Sequence, residues 1–244
     1  MKVLISRKTG IYYYYMEEGD YHCKEGLIKE EDLKSGNSVI FSNIGREFLV
    51  FNARDYDYST KFKVGPQLIT KKDLGYILAR SGINKKSVVV EAGSGSGVAT
   101  CFFAGIVDKV RSFEVRDDHI KVAQGNLDMM KLTNVVLENA DINEQIEKEE
   151  KESIDLLFLD MPDCHTVLEK NLYALKSGAF IVCYVPSISQ IQEITKVISQ
   201  LESLYLEEIS EVILRHWRVW EKVARPNHRK EIDHTAFLVF IRKI

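Results

Sequence analysis

Apolar residues along the first sixty positions come in short bursts separated by glycine. Val3-Leu-Ile, Ile11 to Tyr15, Ser38-Val-Ile-Phe and Phe48-Leu-Val-Phe alternate with polar stretches, and Gly10, Gly19, Gly26 and Gly36 punctuate them. Short runs bounded by turn residues predict strands, so residues 1–60 read as a small β module. Tyr12 to Tyr15 read as one strand with some rings packed and others outward. The texture changes after Lys61, where Gly65-Pro66 marks a break. Thr70-Lys-Lys-Asp73 has the form of a capping box, opening a helix that runs to about Ser81 and stops at Gly82. From Val88 onward two periodicities alternate. Strand-like runs cover 88–91, 110–114, 135–138, 154–160, 179–185, 208–215 and 234–241; helical runs lie near 97–106, 117–131, 165–176 and 188–203. This alternation predicts an α/β fold over 61–244, a mostly parallel seven-stranded sheet with helices on both faces. The last two strand runs lack a helix-length connection and are expected to pair antiparallel at the sheet edge.

The first of these strands runs into Glu91-Ala-Gly-Ser-Gly-Ser-Gly97, then a helix from about Val98. Glycine permits positive φ and close approach of a ligand to the backbone. The helix N-terminus beyond it offers unpaired N–H groups to a polar or anionic ligand. A dinucleotide fingerprint, G-x-G-x-x-G, does not fit, because aligning Gly93 and Gly95 to it puts Val98 at the third glycine. The pattern E-x-G-x-G-x-G is instead similar to the nucleotide loop of class I S-adenosylmethionine (SAM) methyltransferases.

Ligands of open α/β sheets bind beyond the carboxyl ends of strands, so strand-end residues nominate the site. Glu114 ends the second strand and suits two ribose hydroxyls. Asp141 follows the third and can accept from an adenine amino group. Asp160-Met-Pro-Asp163 closes the fourth. Pro162 biases Met161 toward extended backbone, which aims Asp160 into the cleft. Methylation of an aromatic ring nitrogen needs alignment with the methyl donor more than acid–base power. A carboxylate there accepts from the exocyclic amine and stabilises the positive charge that develops. Asp160 suits that role better than Asp163, which lies past the turn.

Composition narrows the setting. The 244 residues, 45% hydrophobic, are enough for a full core. No apolar run approaches a membrane span, and no secretory leader is evident. Cys23, Cys101, Cys164 and Cys183 have neither metal-ligand nor disulfide spacing, which implies no metal site and a reducing, cytoplasmic compartment. A net charge of −3 does not announce a nucleic-acid binder, but the stretch 215–230 does so locally. Arg215, Arg218, Lys222, Arg225, Arg229 and Lys230 stand there against Glu221 alone, among Trp217, Trp220, His216 and His228. Guanidiniums interleaved with indoles suit phosphate contact and base stacking; an ordinary solvated turn is the plain alternative.

Taken in order, these blocks resemble the tRNA (adenine-58-N1) methyltransferase family in its bacterial and archaeal homotetrameric form. The match runs through Gly65-Pro-Gln-Leu-Ile-Thr-Lys-Lys-Asp-Leu-Gly-Tyr-Ile, the glycine loop, Phe113-Glu-Val-Arg-Asp-Asp-His119 and Leu159-Asp-Met-Pro-Asp. It continues through Cys183-Tyr-Val-Pro-Ser-Ile-Ser-Gln190, Trp217-Arg-Val, Arg225-Pro and His234-Thr-Ala-Phe-Leu-Val. The resemblance implies a small N-terminal β domain, a Rossmann-like catalytic domain, and SAM-dependent methyl transfer to N1 of an adenosine in the tRNA T loop. It places cofactor contacts on Gly93, Ser94, Gly95, Ser96, Gly97, Val98, Glu114, His119, Asp141 and Asp160, with Asp160 also the catalytic carboxylate. Gln67 and Leu68 are further cofactor candidates; Arg225, His234 and Thr235 fall in blocks close to the active site. One departure concerns the substrate side. Family members often read D-x-P-x-P-W after the fourth strand, where this chain has Cys164-His165. A small-molecule methyltransferase acting on a corrin-like precursor, and a non-catalytic tRNA-binding subunit, are the competing readings.

Overall fold

The structure, a computed structural model, describes residues 1–16, 18–65, 68–170, 172–220, 223–227 and 234–244. The chain divides into two units, Met1–Phe62 and Lys63–Ile244.

In the first unit the strands are β1 (Lys2–Ser6), β2 (Tyr12–Tyr15), β3 (Tyr21–Cys23) and β4 (Gly26–Ile28). The short helix α1 (Glu30–Lys34), β5 (Val39–Phe41), β6 (Glu47–Asn52) and α2 (Asp55–Ser59) follow. The four apolar bursts become one antiparallel sheet in the order β2-β1-β6-β5. Alternation sends Leu4, Tyr15, Ile40, Phe48 and Val50 into a shared core with Ile28 and Leu33. Tyr12 is exposed, whereas Tyr15 is buried and Tyr13 meets Phe48 edge-on at 5.9 Å. The β3–β4 hairpin has strands of three residues, too short for an apolar period to reveal.

The second unit opens with α3 (Lys71–Ser81), capped by Gly82 at φ 67°. There follow β7 (Val88–Ala92), α4 (Val98–Ala104), β8 (Lys109–Glu114), α5 (Asp117–Met130), β9 (Val135–Asn139) and α6 (Ile142–Gln145). Then come β10 (Ile154–Leu159), α7 (Cys164–Leu168), β11 (Leu175–Val185), α8 (Ile188–Ile198), β12 (Leu204–Ser210), β13 (Trp217–Trp220), β14 (Val223–Pro226) and β15 (Phe237–Lys243). Seven strands form one sheet in the order β12-β15-β11-β10-β7-β8-β9. The five from β7 to β11 are mutually parallel, and β15 and β12 add antiparallel. The expected architecture is therefore the observed one.

Strand period puts a core on each face. Leu157 and Leu159 of β10 pack with Ile142, Val167 and Ile194 from α6, α7 and α8. Leu156 and Phe158, one residue out of phase, pack with Leu74 and Ile77 of α3 and Phe103 of α4. Truncating a fully buried aromatic such as Phe158 to alanine costs roughly 3–5 kcal/mol.

Several elements differ from the sequence reading. The helix expected over 165–176 stops at Leu168, because Leu175 pairs with Ile154 and draws the segment into the sheet. The strand expected over 208–215 lies at 204–210, with Leu204 opposite Lys243 and a register shift between Leu206 and Glu208. Finally, Trp217–Trp220 and Val223–Pro226 form a separate two-stranded sheet within the basic stretch 215–230, for which the sequence reading named no strand. Among the described residues no helix is long and apolar enough to cross a membrane.

Candidate active site

A cleft of about 1330 Å³ opens at the carboxyl ends of β7, β8, β10 and β11. Its floor is the turn after β7. Gly93, Gly95 and Gly97 all have positive φ, at 87°, 52° and 73°. A Cβ on Gly93 would collide with the carbonyl oxygen of Asp160, and one on Gly97 would press on Ala123 of α5. The turn is thus held by close backbone packing. Gly93, Gly95 and Ser96 line the cleft; Ser94, Gly97 and Val98 do not. Ser94 turns inward, its Oγ 2.5 Å from Ser112 Oγ. Gly97 is the N-cap of α4, and Val98 packs against the core beneath.

Glu114, at the end of β8, fastens the loop from the side. One carboxylate oxygen accepts from the Gly95 N–H at 2.9 Å and the other from the Arg116 N–H at 3.0 Å. His119 Nδ1 lies 3.5 Å from Glu114 Oε2, and both line the cleft. Asp141 caps α6, accepting from the Asn143 N–H at 2.9 Å, and also faces the cleft. Leu68 is a lining residue; Gln67 lies outside the described residues.

Asp160 stands where β10 ends, its N–H donating to Ala92 O at 2.9 Å. Burial, with the nearby Glu91 and Glu114 charges, pushes its carboxyl up to about 7. Glu91 is fully buried beneath the loop. It accepts from Thr100 at 2.5 Å and Ser112 at 2.6 Å through one oxygen, while the other has no partner among the described residues. Burial raises Glu91 to about 7 as well.

Beyond Asp160, Cys164 is buried and its thiol donates to Met161 O at 2.9 Å, bracing the turn that carries the carboxylate. That burial sets aside a nucleophilic role for Cys164. His165 Nδ1 lies 3.6 Å from Glu193 Oε2. Arg225 sits on the β13–β14 hairpin. His234 Nδ1 lies 2.6 Å from Glu211 Oε1 and its Nε2 3.1 Å from Pro186 O, and the hydrogen bond with Glu211 raises its pKa. Lys222, Glu221, His228, Arg229 and Lys230 lie outside the described residues.

The site also contains residues that the sequence did not nominate. Tyr184 lines the cleft beside Thr235, which the resemblance did place near the active site, and behind them sits Asp73, completely buried. Tyr184 ends a strand run and was open to the same strand-end logic, which searched only for acids. Asp73 resembled a capping residue. Thr70 Oγ1 in fact donates to its carboxylate at 2.8 Å, so no capping box forms by side-chain bonds.

The donor set fits a nucleoside bearing a positive centre. The turn leaves no room for a Cβ at Gly93, and the carboxylates Glu114, Asp141 and Asp160 surround a cleft of cofactor size. Among the described residues no group of three or more His, Cys, Asp or Glu is placed to hold a metal ion.

Comparison with known proteins agrees with this geometry. The family model for the tRNA methyltransferase complex GCD14 subunit matches residues 58–236. The tRNA (adenine(58)-N(1))-methyltransferase TrmI of Thermus thermophilus is 30% identical, covering 99% of this chain and 96% of its own length. The tRNA (adenine(57)-N(1)/adenine(58)-N(1))-methyltransferase TrmI of Methanocaldococcus jannaschii is 28% identical, with 89% and 86% covered. Among solved structures, a SAM-dependent O-methyltransferase from Thermotoga maritima superposes with a TM-score of 0.82 at 24% identity, covering 100% of this chain and 92% of that one. The tRNA (m1A58) methyltransferase TrmI from Aquifex aeolicus gives 0.80 at 24% identity, covering 100% and 96%. At these identities the structural likeness speaks for the fold, and the sequence relatives speak for the family. This chain belongs to the family of SAM-dependent tRNA (adenine-N1) methyltransferases.

Proposed function

We propose that this chain transfers the methyl group of SAM to N1 of an adenosine in the tRNA T loop, at position 58. The observation that carries this reading is Asp160 in the cleft, packed backbone to backbone against Gly93 of the cofactor turn. Bound SAM would supply an electrophilic methyl group on a sulfonium.

In this reading the turn at 93–97 gives backbone room, Glu114 receives the ribose hydroxyls and Asp141 the adenine amine of the cofactor. Gly93, Gly95, Ser96 and His119 contact it from the cleft floor and rim. Ser94, Gly97 and Val98 shape the turn from behind. Asp160 accepts from the exocyclic amine of the target base, which raises electron density on N1 and offsets the charge that forms there. The target N1 lies on a Watson–Crick edge, so the base must leave its stack to enter the cleft.

Residues 1–60 act as a small β module and 61–244 as the methyltransferase domain, and both contribute to tRNA binding. Support for the RNA role comes from the β13–β14 hairpin. Arg218 and Arg225 face each other across it, a like-charge pair that a bound phosphate would relieve. Trp217 and Trp220 are exposed beside them. The homotetramer and the cytoplasmic setting follow from the family resemblance; four unpaired cysteines suit that compartment.

Incubation of the pure protein with labelled SAM and unmodified tRNA, followed by nucleoside mapping, tests class, atom and position together. One-methyladenosine at position 58 is expected. Methyl label at a neighbouring adenosine would widen the site preference, as the name of the relative from M. jannaschii suggests for that enzyme. A folded, SAM-binding sample that labels no tRNA would sink the proposal, and label on a corrin-like precursor instead would replace it.

A further inference from the structure

Asp73 collects four donors on one carboxylate. Lys72 Nζ donates to Oδ1 at 2.7 Å; Thr70 Oγ1, Thr235 Oγ1 and Tyr184 Oη donate to Oδ2 at 2.8, 3.0 and 3.1 Å. Lys72 Nζ also donates to Thr235 Oγ1 at 2.7 Å. The Lys72 and Asp73 side chains are 8% and 0% exposed, so this ion pair is shielded from water. Such a pair holds its geometry firmly, because removing one partner strands a buried charge.

The consequence lies in the direction of one proton. A tyrosine hydroxyl has a single hydrogen, and Asp73 takes that of Tyr184. Burial and the Asp73 charge raise the phenol's pKa, so the proton stays on oxygen across the working range. With its one hydrogen given to Asp73, the Tyr184 hydroxyl has only lone pairs left to offer any further partner. Its neighbour on the next strand is Asp160: β10 and β11 run parallel with Leu159 opposite Cys183, which makes Asp160 and Tyr184 the next pair of positions. Both line the cleft. Two adjacent acceptors match an exocyclic amine, which carries two hydrogens, and repel a carbonyl.

We infer that Asp73 is a positioning residue for base specificity, turning the Tyr184 hydroxyl into an obligate acceptor that joins Asp160 in selecting an amino-bearing base. This deepens the methyltransferase reading and rests on it. A base with the same ring nitrogen but no amine separates selection from general binding. Purine riboside keeps the N1 lone pair and lacks the N6 amine, so tRNA carrying it at the target position is the probe.

The wild type should prefer adenosine to purine riboside in kcat/KM. Tyr184→Phe, which keeps the ring and loses the acceptor, should shrink that preference about tenfold, the size of one hydrogen bond. SAM affinity by calorimetry should stay within about twofold. Asp73→Asn should shrink the preference likewise, because the amide can donate to the phenol and send its proton toward the cleft. A Tyr184→Phe protein with the wild-type ratio overturns the inference. So does a folded Asp73→Asn protein whose ratio stays at wild type while that of Tyr184→Phe moves. A wild type that labels no tRNA overturns the proposed function itself, which is a distinguishable result.

Discussion

Gly93 and Asp160 lie so close that neither can change shape alone: any Cβ on the glycine would collide with the carbonyl oxygen of the aspartate. The Asp160 N–H is in turn bonded to Ala92 O at 2.9 Å. The cofactor turn and the proposed catalytic carboxylate are thus one rigid piece, built where two adjacent parallel strands end.

Gly93→Ala tests that coupling. The backbone sits at φ 87°, so alanine meets strain and a collision together. A cost of about 2–3 kcal/mol should lower the melting temperature of the ligand-free protein by roughly 4–12 °C. SAM affinity should fall at least about tenfold by calorimetry. An unchanged melting curve would mean that the turn relaxes freely.

Asp160→Ala separates binding from chemistry. SAM affinity should stay within a few fold, because the turn and Glu114 remain. Turnover with tRNA should drop by about 10²–10³, the usual range for loss of one group that stabilises developing charge. Loss of SAM binding in calorimetry would reassign Asp160 to the cofactor.

The pH dependence has a definite sign. Burial raises both Asp160 and Glu91 to about 7, above their ordinary carboxylate values, so the native state favours their protonated forms. Their contribution to stability is full below about pH 4 and is lost as pH rises through 7. The melting temperature of ligand-free wild type should therefore fall more steeply than that of Asp160→Asn between about pH 5 and pH 8. Turnover should rise over the same window as Asp160 ionises. Parallel melting curves for the two proteins would contradict the shift.

The hairpin arginines should act through phosphate. Replacing Arg218 and Arg225 by alanine should weaken tRNA binding and reduce the slope of log affinity against log salt by about one per residue. Trp217→Ala should cost roughly 1–3 kcal/mol if a base stacks on it. A wild-type salt slope in the double arginine variant would move the RNA path off this hairpin.

Much of this was legible along the chain. The short apolar runs of β7 and β10, the glycine turn and the strand-end acids Glu114 and Asp160 are local features, each set by neighbours within a few residues. They were enough for the sheet, the cofactor class and the proposed carboxylate. The boundary errors trace to pairing: Leu175 looked like part of a helix and Leu204 like part of a connection until pairing with Ile154 and Lys243 drew them into strands. The glycine run itself divides three-dimensionally, with Gly93, Gly95 and Ser96 facing the cleft and Ser94 bonded into the core.

By itself, then, the amino-acid order determined the main strands and helices of the large sheet, the turn and the acids at the strand ends. Only the tertiary structure decided which side chains share a wall with Asp160. Asp73 reaches Tyr184 across 111 positions and Thr235 across 162. No local pattern encodes such a contact, because periodicity and turn chemistry act over a few residues, while a buried carboxylate finds its partners only when distant segments are packed together.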